Sequence, residues 1–297
     1  MFAVRASSGR SLTLALEYDG DLTTALPRAI DWRLALILLA AGLVGLASTI
    51  PLMMEWLPRL VGPEEEAKLR ELPLPVPVIF VLGFVQNTVI LGAAIVLGLA
   101  AGKRVGLGAP ELEAWRAEGS LRPSLGRRLA LAAAVGLITG LVLIAMDAFV
   151  LLPRTGVDLA TWIAGVPLWK RLLAGVFYGG IVEELLVRLF VVSSLVWALG
   201  KVWRTNEGRP APGAVWTAIV IATLLFALGH LPMASRLGEL TPWLVVRVLV
   251  LNGIAGVVYG WLYTRRGLEA AMMAHAATHV PLQILAGTAA SIARGGG

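Results

Sequence analysis

The chain contains no cysteine, which excludes disulfides, cysteine-based zinc sites and thiol nucleophiles together. It is poor in charge: 15% of its 297 residues are Asp, Glu, Lys or Arg, against 58% hydrophobic, and its mean hydropathy is +0.80. That balance excludes a water-facing surface over most of its length. Histidine is scarcer still, with three residues. No H-E-x-x-H run occurs, so the zinc-protease helix of that spacing is excluded. The polar–apolar alternation of a membrane barrel is missing, as are the internal repeats that many carriers show between their halves. Ser11 to Leu16 is too short and too poorly flanked for a secretory signal.

What remains is apolar and long. A helix needs about 20 apolar residues to cross roughly 30 Å of hydrocarbon. Runs of that length lie at 33–57, 75–101, 129–152, 172–199, 212–231, 241–264 and 268–290. With no water to satisfy backbone groups in the hydrocarbon, such runs must be helices. The expected fold is all-α, a polytopic integral membrane bundle of seven transmembrane helices, or eight if the longest runs are broken. Three stretches follow: an N-terminal cytoplasmic or interfacial segment at 1–31, N-terminal helices with a basic loop at 32–128, and a C-terminal membrane domain at 129–297.

The net charge is +6, and the positive residues sit between spans rather than on one face for nucleic acid. With the N-terminus inside, fifteen Lys and Arg fall on the cytoplasmic side and eight outside, the orientation that the positive-inside rule favours. The chain is therefore expected in the bilayer of a bacterial inner (cell) membrane, N-terminus cytoplasmic. Pro110 to Glu118 reads as a helix on the cytoplasmic surface. Glu64 to Glu71 reads as a short exposed helix. Asp147 and Arg247 fall at similar outer depth in two spans and are expected to pair.

One apolar run carries adjacent carboxylates and an arginine: Gly179-Gly180-Ile181-Val182-Glu183-Glu184-Leu185-Leu186-Val187-Arg188. Ionisable groups at bilayer depth cost about 2.5–3.5 kcal/mol each, and so mark function by default. Glu184 and Arg188, four apart, share a helix face, while Glu183 points about 100° away. The plainer reading is a buried ion network that fixes helix packing. Gly175 and Gly179 have the small-xxx-small spacing of close helix contact. The next run ends Phe226-Ala227-Leu228-Gly229-His230, and the sixth holds Asn252, Gly256 and Gly260, with Tyr259 and Tyr263 approaching the inner interface. The seventh holds His275-Ala276-Ala277-Thr278-His279. All three histidines lie in spans after the Glu-Glu motif, which points to recruitment into one polar cavity. Glu183 or Glu184 with His230 can orient and deprotonate a water. His275 and His279 can stabilise an oxyanion, or a divalent metal such as zinc can be held by Glu183, His230, His275 and His279.

Glu-Glu-x-x-x-Arg, then Phe-x-x-x-His, then a Gly-rich span ending Leu262-Tyr263-Thr264-Arg265-Arg266-Gly267-Leu268, then His-x-x-x-polar, resembles the CPBP (ABI) family of intramembrane proteases, which includes the CAAX prenyl proteases. The resemblance covers roughly 167–285. It implies that Glu183 activates water with His230, that Glu184 and Arg188 support its position, and that His275 faces the scissile carbonyl. Phe226 and Asn252 join the supporting set. Family members usually carry Asn or Asp where this chain has His279, and they include metal-dependent and metal-independent enzymes. The expected function is an intramembrane endopeptidase acting on a membrane-embedded or membrane-anchored polypeptide. The rivals are a catalytically silent relative, acting in regulation or bacteriocin immunity, and a proton-coupled transporter. His230 sits near the outer end of its run while Glu183 and His275 fall near mid-membrane, so the fifth span starts deeper than 212–231 or the chain re-enters after Pro232.

Overall fold

The computed structural model describes residues 30–60 and 75–295. The segment 1–29 and the helix expected at 64–71 lie outside the described residues, which contain helices and no named β-strand. α1 (Trp32–Ser48) starts where the Asp31 carboxylate accepts from the Leu34 amide at 3.0 Å, a side-chain cap on an otherwise orphan donor. α2 (Ile50–Leu60) follows, with Pro51 in its first turn, where the missing N–H costs nothing. α3 is Val76–Lys103, and α4 (Pro110–Glu118) is helical as expected from the sequence, stopped by Gly119 at φ 68°. α5 (Leu125–Met146) runs on through a π turn (Asp147–Leu151) and a 3-10 turn (Leu152–Arg154). The short α6 (Leu159–Ile163) and α7 (Leu168–Leu173) lead into two π-helical stretches, Ala174–Glu183 and Leu185–Val192, and then α8 (Ser193–Leu199). The run 168–199 is thus one rod carrying the Glu-Glu motif. α9 (Pro212–Gly229), α10 (Leu231–Leu237), α11 (Pro242–Arg266) and α12 (Leu268–Gly295) complete the chain.

Five of these rods are long and apolar enough to cross a membrane: Trp32–Leu57, Val78–Lys103, Leu125–Arg154, Pro212–Leu237 and Pro242–Arg266. The other two apolar runs of the sequence, 172–199 and 268–290, are helical as well. They hold Glu183, Glu184, Arg188, His275 and His279. Leu36, Val89, Ile138 and Phe149 keep more than 60% of their surface exposed, as side chains facing lipid would.

The motif rod lies at the centre, against α1, α3, α9 and α12, with Leu185 and Leu189 fully buried. The core draws Leu34 and Leu38 from α1, Leu91 and Ile95 from α3, and Ala271 and Ala274 from α12, so it spans both sides of residue 128. α12 packs along α5 at very short range. A Cβ on Gly136 would stand 2.0 Å from the Ala274 carbonyl, and one on Gly140 would stand 2.5 Å from that of Thr278. Thr278 closes the seam by donating to the Gly136 carbonyl at 2.9 Å.

Two polar clamps fix the ends of this bundle. Arg247 grips Asp147 with two parallel bonds of 2.6 and 2.7 Å, the pair expected from their depths. Glu269 accepts from the amides of Glu111 and Leu112 at 3.0 and 2.9 Å, capping the first turn of α4. Glu111 in turn bonds Arg128. α4 is therefore docked onto the start of α12.

Candidate active site

The motif rod delivers its carboxylates in π rather than α register. Hydrogen bonds to the fifth residue widen the helix, so successive side chains turn by less than the regular 100° expected from the sequence; π segments also recur at functional sites. Glu184 and Arg188 still meet, with Nη1 donating to Oε1 at 2.9 Å, and both side chains are sealed from solvent at 0% and 1% exposure. The second guanidinium arm, Nη2, donates to the Gly256 carbonyl of α11 at 3.2 Å. The guanidinium carbon stands 5.4 Å from the ring centre of Phe226 and 5.3 Å from that of Tyr259. An arginine held by a carboxylate, a carbonyl and two ring faces is a positioned charge.

Glu183 points into a different space. Its carboxylate is 17% exposed, with Oε1 3.9 Å from His230 Nε2 and Oε2 3.7 Å from His275 Nε2. Both distances exceed a direct hydrogen bond. The other nitrogen of each ring fixes its tautomer. His230 Nδ1 lies 2.8 Å from the Phe226 carbonyl, and a carbonyl only accepts, so Nδ1 carries the proton. His275 Nδ1 lies 2.7 Å from Glu184 Oε1, a carboxylate already paired with Arg188, so Nδ1 donates there too. Each ring therefore turns its other nitrogen, Nε2, toward Glu183.

Phe226 meets His230 edge-on, with ring centres 4.5 Å apart. Tyr259 stacks on His275 at 4.5 Å and 23°. The sequence gives Tyr259 no role beyond nearing an interface; its ring is fully buried beside the site. An aromatic in an apolar span carries no signal that separates such a residue from ordinary core. Tyr263 is also buried, its hydroxyl 2.6 Å from Ser193 Oγ.

His279 stacks on His275 at 5.2 Å and 17°, as their four-residue spacing predicts. Its ring rests on the face of the motif rod where side chains are missing: a Cβ on Gly175 would stand 2.6 Å from Nδ1, and one on Gly179 2.6 Å from Nε2. Its Nδ1 is buried with no hydrogen-bond partner. Asn252 bonds back to Val248 in its own helix at 2.9 Å, and it is the Gly256 carbonyl one turn on that holds Arg188. Among the described residues no group of three or more His, Asp or Glu side chains is placed to hold a metal ion.

The tension over His230 resolves in the structure. The fifth rod does not stop at residue 231 but continues through α10 to Leu237. His230 joins α9 to α10 with helical φ and ψ of −87° and −13°, about 10 Å short of the rod's end at ~1.5 Å per residue. It can therefore lie level with Glu183.

No curated protein and no solved structure matches the chain. Residues 165–280 match the family described as type II CAAX prenyl endopeptidase Rce1-like, and it is this segment, holding every residue of the site, that relates the chain to the CPBP and CAAX proteases.

Proposed function

We propose that the chain is an intramembrane endopeptidase that hydrolyses a peptide bond in a membrane-embedded or membrane-anchored polypeptide. One observation carries the reading: two imidazoles, each with Nδ1 engaged, turn Nε2 toward one carboxylate across gaps of 3.7 and 3.9 Å. A water in that gap donates one hydrogen to Glu183 and the other to an imidazole, leaving an oxygen lone pair for attack. Glu183 takes the water's proton as the oxygen bonds to the scissile carbonyl carbon. The same proton passes to the leaving nitrogen as the C–N bond breaks, giving a carboxylic acid and an amine. Glu184 and Arg188 act through position, orienting His275 from behind.

In this reading seven helices cross the membrane with the N-terminus cytoplasmic. A second reading is kept by one observation, His279 in place of the family's Asn or Asp: a silent relative that binds a membrane partner without cutting it. The test compares protein termini, by mass spectrometry of membrane and secreted fractions, in cells expressing wild type or Glu183→Gln at equal level. New termini with wild type alone support the peptidase. Identical profiles with both proteins folded would sink it in favour of the silent binder.

A further inference from the structure

A second cavity, of about 230 Å³, opens at the end of the bundle where α3, α8 and α11 finish and α9 begins. Its walls are apolar: Val215, Trp216 and Ile219 of α9 face Trp261 of α11, and both tryptophans are about 40% exposed at 43% and 39%. Its rim is polar. Arg265, exposed, and Arg209 line it together with Thr205 and Glu207. Glu207, 73% exposed, stands 3.6 Å from Arg209, so the rim holds two positive groups against one solvated carboxylate. Thr205 supplies the sharpest sign, because its hydroxyl oxygen is buried and has no hydrogen-bond partner. Buried polar groups in native proteins find partners. The same cavity is lined by Arg209 and Arg265, so a hydroxyl in need of a partner shares it with two cations.

We propose that this cavity binds an anionic glycerophospholipid, with part of one acyl chain between Trp216 and Trp261 and the phosphate against Thr205, Arg209 and Arg265. Three features select this occupant. The cavity is too small for a whole lipid and its two tryptophans are partly exposed, so it takes the end of a chain whose remainder stays in the bilayer. Tryptophans at a bundle end sit at headgroup depth. Lys103, Arg104, Lys201, Arg204 and Arg266 crowd the same connections, and basic pockets between helix ends on the cytoplasmic side hold anionic headgroups. Arg104 and Lys201 lie over the Trp197 ring, at 5.0 and 3.8 Å, while Arg209 and Arg265 line the cavity itself. α9 also points its N-terminal end, the positive end of the helix dipole, at this rim.

The experiment is native mass spectrometry of the purified full-length chain in detergent, titrated with phosphatidylglycerol, with phosphatidylcholine of the same acyl chains, and with glycerol phosphate. Wild type should retain phosphatidylglycerol in preference to phosphatidylcholine. Arg209→Gln with Arg265→Gln should weaken retention about thirtyfold, while the matched charge loss Arg122→Gln with Arg127→Gln leaves it unchanged. Should the double variant fold poorly, Thr205→Val changes one atom's chemistry at constant volume and should weaken retention about fivefold. Equal retention of both lipids would overturn the proposal, as would equal loss in the control variant, an unaffected Thr205→Val, or displacement by glycerol phosphate alone. None of these readouts uses cleavage, so they stand apart from the peptidase reading.

Discussion

Adjacent glutamates are given opposite tasks by what surrounds them. Glu184 is sealed, and its Oε1 accepts from both Arg188 and His275; Glu183 is partly open, with both oxygens beyond hydrogen-bond range of the histidines. Glu184→Gln strands a buried guanidinium without its counter-charge, a loss of about 3–5 kcal/mol. Glu183→Gln breaks no hydrogen bond to either imidazole. Thermal unfolding of the two variants in detergent should therefore separate them, Glu184→Gln unfolding well below wild type and Glu183→Gln close to it. Equal losses would mean that both carboxylates are structural. The Asp147–Arg247 pair is testable in the same currency. Each single alanine leaves a buried charge and should lower the yield of folded protein, while the double variant recovers part of it; simple additivity would remove the pair as an organising contact. The charged residues of the site were legible in sequence because charge in an apolar run is costly wherever it occurs. Tyr259 and the Gly256 carbonyl were not, since a ring among apolar residues and a backbone oxygen leave no trace in composition.

At the scale of elements, glycine decides which helices touch, but spacing alone does not say which glycines. Gly175 and Gly179 stand out in sequence and do serve close approach, against the His279 ring. Gly136 and Gly140, with the same spacing, make the tighter seam against α12 and pass as ordinary apolar sequence. Gly83 and Gly92 meet nothing within 4 Å of an added Cβ. The three classes predict three outcomes. Gly83→Ala should be neutral or mildly stabilising, by up to ~1 kcal/mol of helix propensity. Gly179→Ala should cost about 1–3 kcal/mol of overpacking, because the methyl displaces a ring that can move, and cleavage should fall more than stability. Gly136→Ala meets a carbonyl at 2.0 Å that cannot move without separating α5 from α12, so it should be the most destabilising of the three. Unfolding temperatures in that order, with termini analysis of Gly179→Ala, check all three. The π register of the motif rod is the feature that sequence reasoning had no means to find. Hydrophobic periodicity reports which face is apolar, and this run is apolar on nearly every side, so a shift from four-residue to five-residue hydrogen bonding has no polar face to displace.

For the whole molecule, the decisive quantity is which side each connection faces, because it sets whether the rim cavity meets the cytoplasmic leaflet. The apolar runs established the bundle, and hydropathy could do so because backbone groups have no other way to be satisfied in hydrocarbon. Length and composition support five crossings; the two rods that bear the site are less apolar for the very reason that they bear it. The absence of cysteine makes sidedness measurable, since any cysteine introduced is unique. Asn206, exposed in the connection 200–211, and Glu239, exposed between α10 and α11, are separated by the fifth rod. If that rod crosses with the basic connections inside, Asn206→Cys reacts with a membrane-impermeant maleimide only after the cells are opened, and Glu239→Cys reacts in intact cells. Asp158→Cys, which precedes the motif rod, should behave like Glu239→Cys, because an odd number of crossings separates it from Asn206. Reaction of Asn206→Cys and Asp158→Cys from the same side would mean that the motif rod enters the bilayer without crossing it. Glu183 would then reach its substrate from one face only.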